Sequence, residues 1–351
     1  MKKTALALAL AFALISCEKE PEPATIPTEA DAYVLNEGLW GNNNASISLL
    51  NSLDGNIFND IFAHQNGRGL GDVAQDALIY GGKMYIAVSG SKTLEVVDAA
   101  TCQQITTLRF QAEPRGLACA DGCVYVSCYN KHVYRLDTLS LTFTGDCVIP
   151  GYNLEGLAVS GDRLYVCSSW RKTSSGEFQY DNRLFAINLA SFTREKSLPC
   201  SLNPQRILAL DDGRLLYCYS GNYADAPAGL ALLNPQTEQE TDLGVEATGF
   251  DVYQGRVYLY HYDWDTTNSD AAAPSYHVID LATLQVQPLT LSGATIVTPY
   301  GLNVNPKNGD ILITDAQRFR ANGDVHCFSP SGAHKWSAEA QAGPSKVVFL
   351  K

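Results

Sequence analysis

The sequence predicts an all-β fold: a seven-bladed β-propeller with four-stranded antiparallel blades, its ring closed by the C-terminal strand pairing into the N-terminal blade. Three observations predict it. The first is a repeated hairpin. GLACADGCVYV from Gly116 recurs as GLAVSGDRLYV from Gly156, as DALIYGGKMYI from Asp76 and as GFDVYQGRVYL from Gly249. Each copy is an alternating apolar run, a tight turn at Gly-Gly, Asp-Gly, Gly-Asp or Gln-Gly, and a Tyr-centred return, and three of the copies follow one another at about 40 residues. The second is a marker of two residues, mostly apolar, followed by Asp, Asn or Ser. It occurs at Leu49-Leu50-Asn51, Val96-Val97-Asp98, Arg135-Leu136-Asp137, Ala186-Ile187-Asn188, Leu232-Leu233-Asn234, Val278-Ile279-Asp280 and Cys327-Phe328-Ser329. Such side chains cap nearby backbone N–H groups and start turns, so each marker ends an outer strand, and seven markers mean seven units. The third is an unpaired beginning. The run 33–36 has the Tyr-centred pattern without a preceding partner, and SKVVFL at 345–350 supplies one. An open edge strand invites aggregation, so the last strand is expected as the innermost strand of the first blade.

In chain order, residues 1–16 are expected to be a lipoprotein signal peptide. Lys2-Lys3 is a basic start, residues 5–15 are apolar but too short to span a bilayer, and Leu14-Ile15-Ser16-Cys17 matches the lipobox, which makes Cys17 the lipidated residue. Residues 17–30, acidic and proline-rich, read as a lipidated tether, and residues 31–351 as the propeller. Removing residues 1–16 takes away two lysines and no acid, which moves the formal net charge from −12 to −14. With no basic run left, a nucleic-acid partner is not expected. Besides Cys17 nine cysteines remain, an odd number without CxxC pairs, which argues against a disulfide framework or zinc site. Cys167 and Cys218 read as core thiols. Cys119 and Cys123 flank a tight turn and are either free or bridged.

With strands A to D numbered outward from the axis, the A–B and C–D turns share one face, and the B–C loops and D–A crossings share the other. The B–C segments are unusual in length and composition, at 36–44, 129–132, 169–182, 219–228, 261–275 and 315–322. They carry Trp40, Trp170 and Trp264, three of the four tryptophans, together with Tyr129, Tyr219, Tyr223, His261, Tyr262, Arg171, Arg318 and Phe319. The D–A crossings add Arg115, Asn153, Glu155, Asn203, Arg206 and Tyr300 around the axial mouth. Aromatic rings with arginine and amide tips make a ligand-binding surface, so these residues are the candidate site.

No GxSxG elbow, HExxH, phosphate-binding loop or dinucleotide fingerprint is present, and no enzymatic activity or bound cofactor is expected. The enzymatic alternative places a cation on Asp76 and Glu155 at the axis, with Asn153 and Asn203 nearby, as propeller lactonases do. Capping of strands by the same residues is the simpler reading.

The lipobox, the opening Tyr33-Val34-Leu35-Asn36-Glu37-Gly38-Leu39-Trp40-Gly41 and the following Asn42-Asn43-Asn44-Ala45-Ser46-Ile47-Ser48 resemble the YncE-like seven-bladed propeller lipoproteins of Bacteroidota. Glu18-Lys19-Glu20 likewise resembles the surface-export signal of lipoproteins from that group. The resemblance implies a surface-exposed protein on the outer membrane. Some members, the BtuG type, bind cobamides (vitamin B12 and relatives) and pass them to a TonB-dependent outer-membrane transporter. By that resemblance the partners are cobalamin or another corrinoid, the transporter, and the membrane through the lipid anchor. A corrin is broad and amide-fringed and carries a phosphate and a base. Aromatic, amide and arginine side chains suit such a ligand. A surface propeller for a glycan or peptide, and a metal-dependent lactonase or esterase, are the alternatives.

Overall fold

The computed structural model describes residues 29–263, 273–320 and 322–350. Seven four-stranded antiparallel sheets follow one another around the axis. Their inner strands are Pro344–Phe349, Ala74–Tyr80, Pro114–Ala120, Leu154–Ser160, Pro204–Ala209, Gly249–Tyr253 and Pro299–Val304. Four of these open on proline, a residue tolerated at a strand's first position because no ladder N–H is needed there. The ring closes as the sequence predicts. Pro344–Phe349 is the innermost strand of the first blade and pairs antiparallel with Ala32–Asn36, Ala32 facing Phe349.

The seven markers all end third strands, and their side chains do the capping expected of them. Asn51, Asp98, Asp137, Asn188, Asn234 and Asp280 each accept the N–H two residues on, at 2.9–3.1 Å. Ser329 accepts from the Ala333 N–H instead, at 3.2 Å. The Tyr-centred strands put Tyr85, Tyr125, Tyr165, Tyr217 and Tyr258 inside the blade packing. Seven apolar clusters fill the seven spaces between neighbouring blades, including the space between the last and the first. Each blade therefore buries its faces only against its two neighbours.

Around the axis the inner strands approach closely. A Cβ on Gly116 would lie 2.7 Å from the Glu155 carbonyl oxygen, and one on Gly156 would lie 2.6 Å from that of Gln205. The sequence shows no long helix, and among the described residues the structure adds a short α-helix, Ile61–Asn66, in the crossing from the first blade to the second, where Ile61 and Phe62 are buried. Cys119 and Cys123 do not face each other. Cys119 pairs across the hairpin with Val124 while Ala120 pairs with Cys123, so the two thiols lie on opposite faces of the sheet, and none of the nine described cysteines is in a disulfide. Cys167 and Cys218 are core thiols, as expected.

Candidate functional site

The B–C loop of the first blade is built rigidly although it holds no regular structure. The Asp72 carboxylate, from the second blade, accepts the Gly41 N–H at 3.0 and 3.1 Å and the Asn43 N–H at 3.4 Å, and the Asn44 side-chain oxygen accepts the Leu39 N–H at 2.8 Å. Between these anchors Trp40 stands 72% exposed. It rims a recess of about 440 Å³ whose other walls include Glu113, Arg115, Tyr129, Asn130, Tyr152 and Asn153.

Two walls of this recess, Arg115 and Tyr129, belong to an ion-pair cluster with Glu155. Arg115 Nε lies 3.1 Å from Glu155 Oε2, and its guanidinium covers the Tyr129 ring at 4.6 Å. Tyr129 donates its hydroxyl to Glu155 Oε1 at 2.8 Å, and Ser169 donates to the same oxygen at 3.3 Å. Burial, reinforced by Glu155, pushes the Tyr129 phenol far above its ordinary range.

The fourth blade departs from the sequence reading. Residues 169–182 do not form a loop. The strands Arg163–Lys172 and Phe178–Asn188 run on as a two-stranded ribbon above the blade, with Trp170 opposite Tyr180 and Arg171 opposite Gln179. Aromatic and β-branched pairs opposite one another stabilise such a ribbon, and here Trp170 and Tyr180 have ring centroids 4.5 Å apart. Tyr180 continues to Tyr223 at 6.0 Å, and Phe178 meets Tyr152, a wall of the recess, at 4.6 Å. Lys131 sits over Tyr152 at 5.5 Å. The result is an arc of rings from Trp40 through Tyr129, Tyr152 and Phe178 to Trp170, Tyr180 and Tyr223. Its far end is as open as its start, with Tyr223 72% exposed.

Tyr219 is not part of this face. It closes the strand Leu215–Tyr219, is 7% exposed, packs among the rings and leucines between the fourth and fifth blades, and donates its hydroxyl to Asp242 at 3.3 Å. Burial pushes its phenol up to about 12. Two-residue alternation explains the misplacement: Tyr217 and Tyr219 share one sheet face, and Tyr217 is core.

In the sixth blade His261 Nε2 lies 3.4 Å from Glu246, and Tyr262 is half-buried against the apolar packing between the sixth and seventh blades. Trp264, together with residues 1–28 and so Cys17, falls outside the described residues.

The seventh blade contributes a feature that sequence reasoning missed. Gln317, Arg318 and Phe319 have φ of 48°, 59° and 55° in succession. Left-handed backbone costs L-residues about 1–2 kcal/mol each. Buried Asp315 holds the turn by accepting the N–H groups of Val297, Thr298 and Gln317 at 2.7–2.9 Å, and Thr298 Oγ1 accepts the Arg318 N–H at 3.1 Å. Arg318 is thereby set out in solvent, and Phe319 meets the Tyr300 ring edge-on at 5.0 Å.

Tyr300 itself turns inward and donates its hydroxyl to Glu37. Glu37 and Tyr300 help to wall the axial shaft, a cavity of about 310 Å³, together with Gln75, Asp76, Arg115, Glu155, Arg206 and Lys346. Burial raises the Glu37 carboxyl, against the opposing pull of the Tyr300 hydrogen bond and the Arg115 charge. The axial acids named as possible cation ligands have protein partners. Asp76 accepts the Ala77 N–H at 2.8 Å and the Leu117 N–H at 2.9 Å, and pairs with Lys346 at 2.6 Å. Asn203 is buried and accepts from the Gln205 amide at 2.6 Å. Among the described residues no cluster of His, Cys, Asp and Glu has the arrangement of a metal site.

The profile of a family described as "Domain of unknown function (DUF5074)" matches residues 31–132. Among curated proteins none matches the sequence. Solved structures match at the level of fold. A quinonprotein alcohol dehydrogenase-like protein from Bacteroides thetaiotaomicron has 14% identity and a TM-score of 0.64, over 92% of this chain and 78% of that one. Hydrazine synthase of Kuenenia stuttgartiensis has 15% identity and a TM-score of 0.60, over 73% and 76%. The WD40 domain of Pan2 from Neurospora crassa has 13% identity and a TM-score of 0.57, over 79% and 81%. These likenesses fit a propeller family and carry the fold alone.

Proposed function

We propose that this protein is a non-catalytic binding lipoprotein that captures a cobamide on its loop face. Lipidated at Cys17 and displayed on the outer membrane, it passes the ligand to a TonB-dependent transporter. The observation that supports binding is the arc of rings around an open 440 Å³ recess lined by Arg115. Flat apolar area edged by guanidinium, amide and hydroxyl groups suits a broad ligand with a polar fringe. The first-blade loop is fixed by Asp72 before any ligand arrives, which lowers the entropy cost of binding. The choice of a corrinoid rests on the lipobox and the opening motif from Tyr33 to Ser48, through the resemblance they carry. The hydrolase alternative is weakened because Asp76 and Glu155 are each engaged by a cation and by backbone or hydroxyl donors.

The test is a titration with cyanocobalamin followed by calorimetry and by the corrin absorbance. One-to-one binding, weakened about tenfold or more by Trp40→Ala and by Trp170→Ala, is the expected result. No heat and no spectral change would overturn the corrinoid assignment, and a hit on a glycan array would then give the same face a different ligand.

A further inference from the structure

The axial shaft holds an unpaired cation. Three cations line it, Arg115, Arg206 and Lys346, and three acids, Glu37, Asp76 and Glu155. Two of the cations are matched, Arg115 by Glu155 at 3.1 Å and Lys346 by Asp76 at 2.6 Å. The third match is not made. Among the described residues Arg206 has neither an ion pair nor a side-chain hydrogen bond, and its guanidinium lies 5.6 Å from the centroid of the Phe250 ring. The remaining acid, Glu37, receives the Tyr300 hydroxyl, and its burial favours the neutral form. A guanidinium at a cavity wall with five N–H donors and no protein acceptor is open to a ligand that brings one. The cavity beside it, about 310 Å³, has room for one small organic molecule. Gln75 lends the same wall an amide whose oxygen already receives Arg115, which leaves its nitrogen as a further donor.

We propose that the axial shaft is a second binding site, adjoining the loop-face recess at Arg115, which takes a small organic monocarboxylate through Arg206. A carboxylate is planar and accepts two parallel N–H bonds from a guanidinium fork. A single unmatched cation calls for a single negative charge, which favours a monocarboxylate over a phosphate dianion or a dicarboxylate. The neighbouring Ile207 and Leu208 also line the shaft and leave room there for a short body behind the carboxylate.

The experiment uses the purified protein and needs no corrinoid, so its outcome is independent of the loop-face reading. The fluorine signal of trifluoroacetate is followed by NMR as protein is added, with acetate, benzoate and inorganic phosphate as competitors. The expected result is saturable one-to-one binding displaced by acetate or benzoate and not by phosphate. Arg206→Gln weakens it about tenfold to a hundredfold, and Arg206→Lys, which keeps the charge and loses the fork, weakens it less. A soak of wild-type crystals with 4-bromobenzoate gives a second readout that needs no variant, with the bromine peak expected in the shaft near Arg206. Failure of every carboxylate to saturate would overturn the proposal. So would equal affinity in a folded Arg206→Gln variant, displacement by phosphate alone, or a bromine peak only outside the shaft.

Discussion

At the scale of single residues, neighbours of similar type have opposite fates. Among the described residues Trp40 and Tyr223 are the most exposed rings of the loop face, while Tyr219 is core. Tyr219→Phe is therefore expected to leave ligand affinity unchanged and to lower the melting temperature slightly, through loss of the Asp242 hydrogen bond, where Trp40→Ala does the reverse. A titration and a thermal melt of both variants check this. Glu37 makes a prediction about pH. Its folded pKa is raised by burial above the ordinary value of 4.5, so the folded state holds the proton more tightly than the unfolded state does. The associated stability is fully present below 4.5 and is lost as pH rises through the folded value. Glu37→Gln abolishes this dependence, so its melting temperature is expected to gain on that of the wild type between pH 4.5 and 8. Parallel curves would show that Glu37 is not the group responsible. The Glu37 contact was not legible in the sequence. The Glu37–Tyr300 contact spans 263 residues and exists only because the ring closes between the seventh and first blades.

At the scale of elements, what the sequence revealed was local. Turn chemistry and alternation extend over a few residues, so the A–B turns and the seven capping markers can be read directly. The fourth-blade ribbon could not be read the same way, because Ser, Gly and charged residues at 172–177 have the composition of a loop while the register across Trp170 and Tyr180 makes it a sheet. The signal available was the alternation Phe178-x-Tyr180 returning past Trp170-x-Lys172. Two rings standing opposite each other above the blade lock the ribbon, so Tyr180→Ala is expected to free Trp170 and weaken ligand binding about as much as Trp170→Ala does. Asp72→Ala is expected to act in the same indirect way, by releasing the Gly41 and Asn43 N–H groups that fix the Trp40 loop. Hydrogen exchange at those amides, measured beside ligand affinity, separates loss of order from loss of contact.

At the scale of the whole molecule, the fold depends on one strand. Pro344–Phe349 gives the first blade its inner edge and packs against the inner strands on either side, so a chain ending at Gly343 leaves Ala32–Asn36 an unpaired edge. That truncation is expected to aggregate or to populate a molten state, visible as dye binding and loss of a cooperative melt. Gly301→Ala probes the same seam more gently. Its Cβ would lie 2.1 Å from the Ser345 carbonyl oxygen, and a stability loss of about 1–3 kcal/mol by denaturant titration is expected.

The same closure fixes where the two ends of the chain emerge. Ala32–Asn36 is a second strand and so begins on the A–B turn face, and Pro344–Phe349 is a first strand and so ends there, with the Leu350 N–H donating to the Asp31 carbonyl at 2.7 Å. A molecule fastened by either end therefore turns its short hairpins toward the point of attachment and its aromatic arc away from it. Which strand of the first blade comes first in the sequence thus decides the side from which the aromatic arc can be approached.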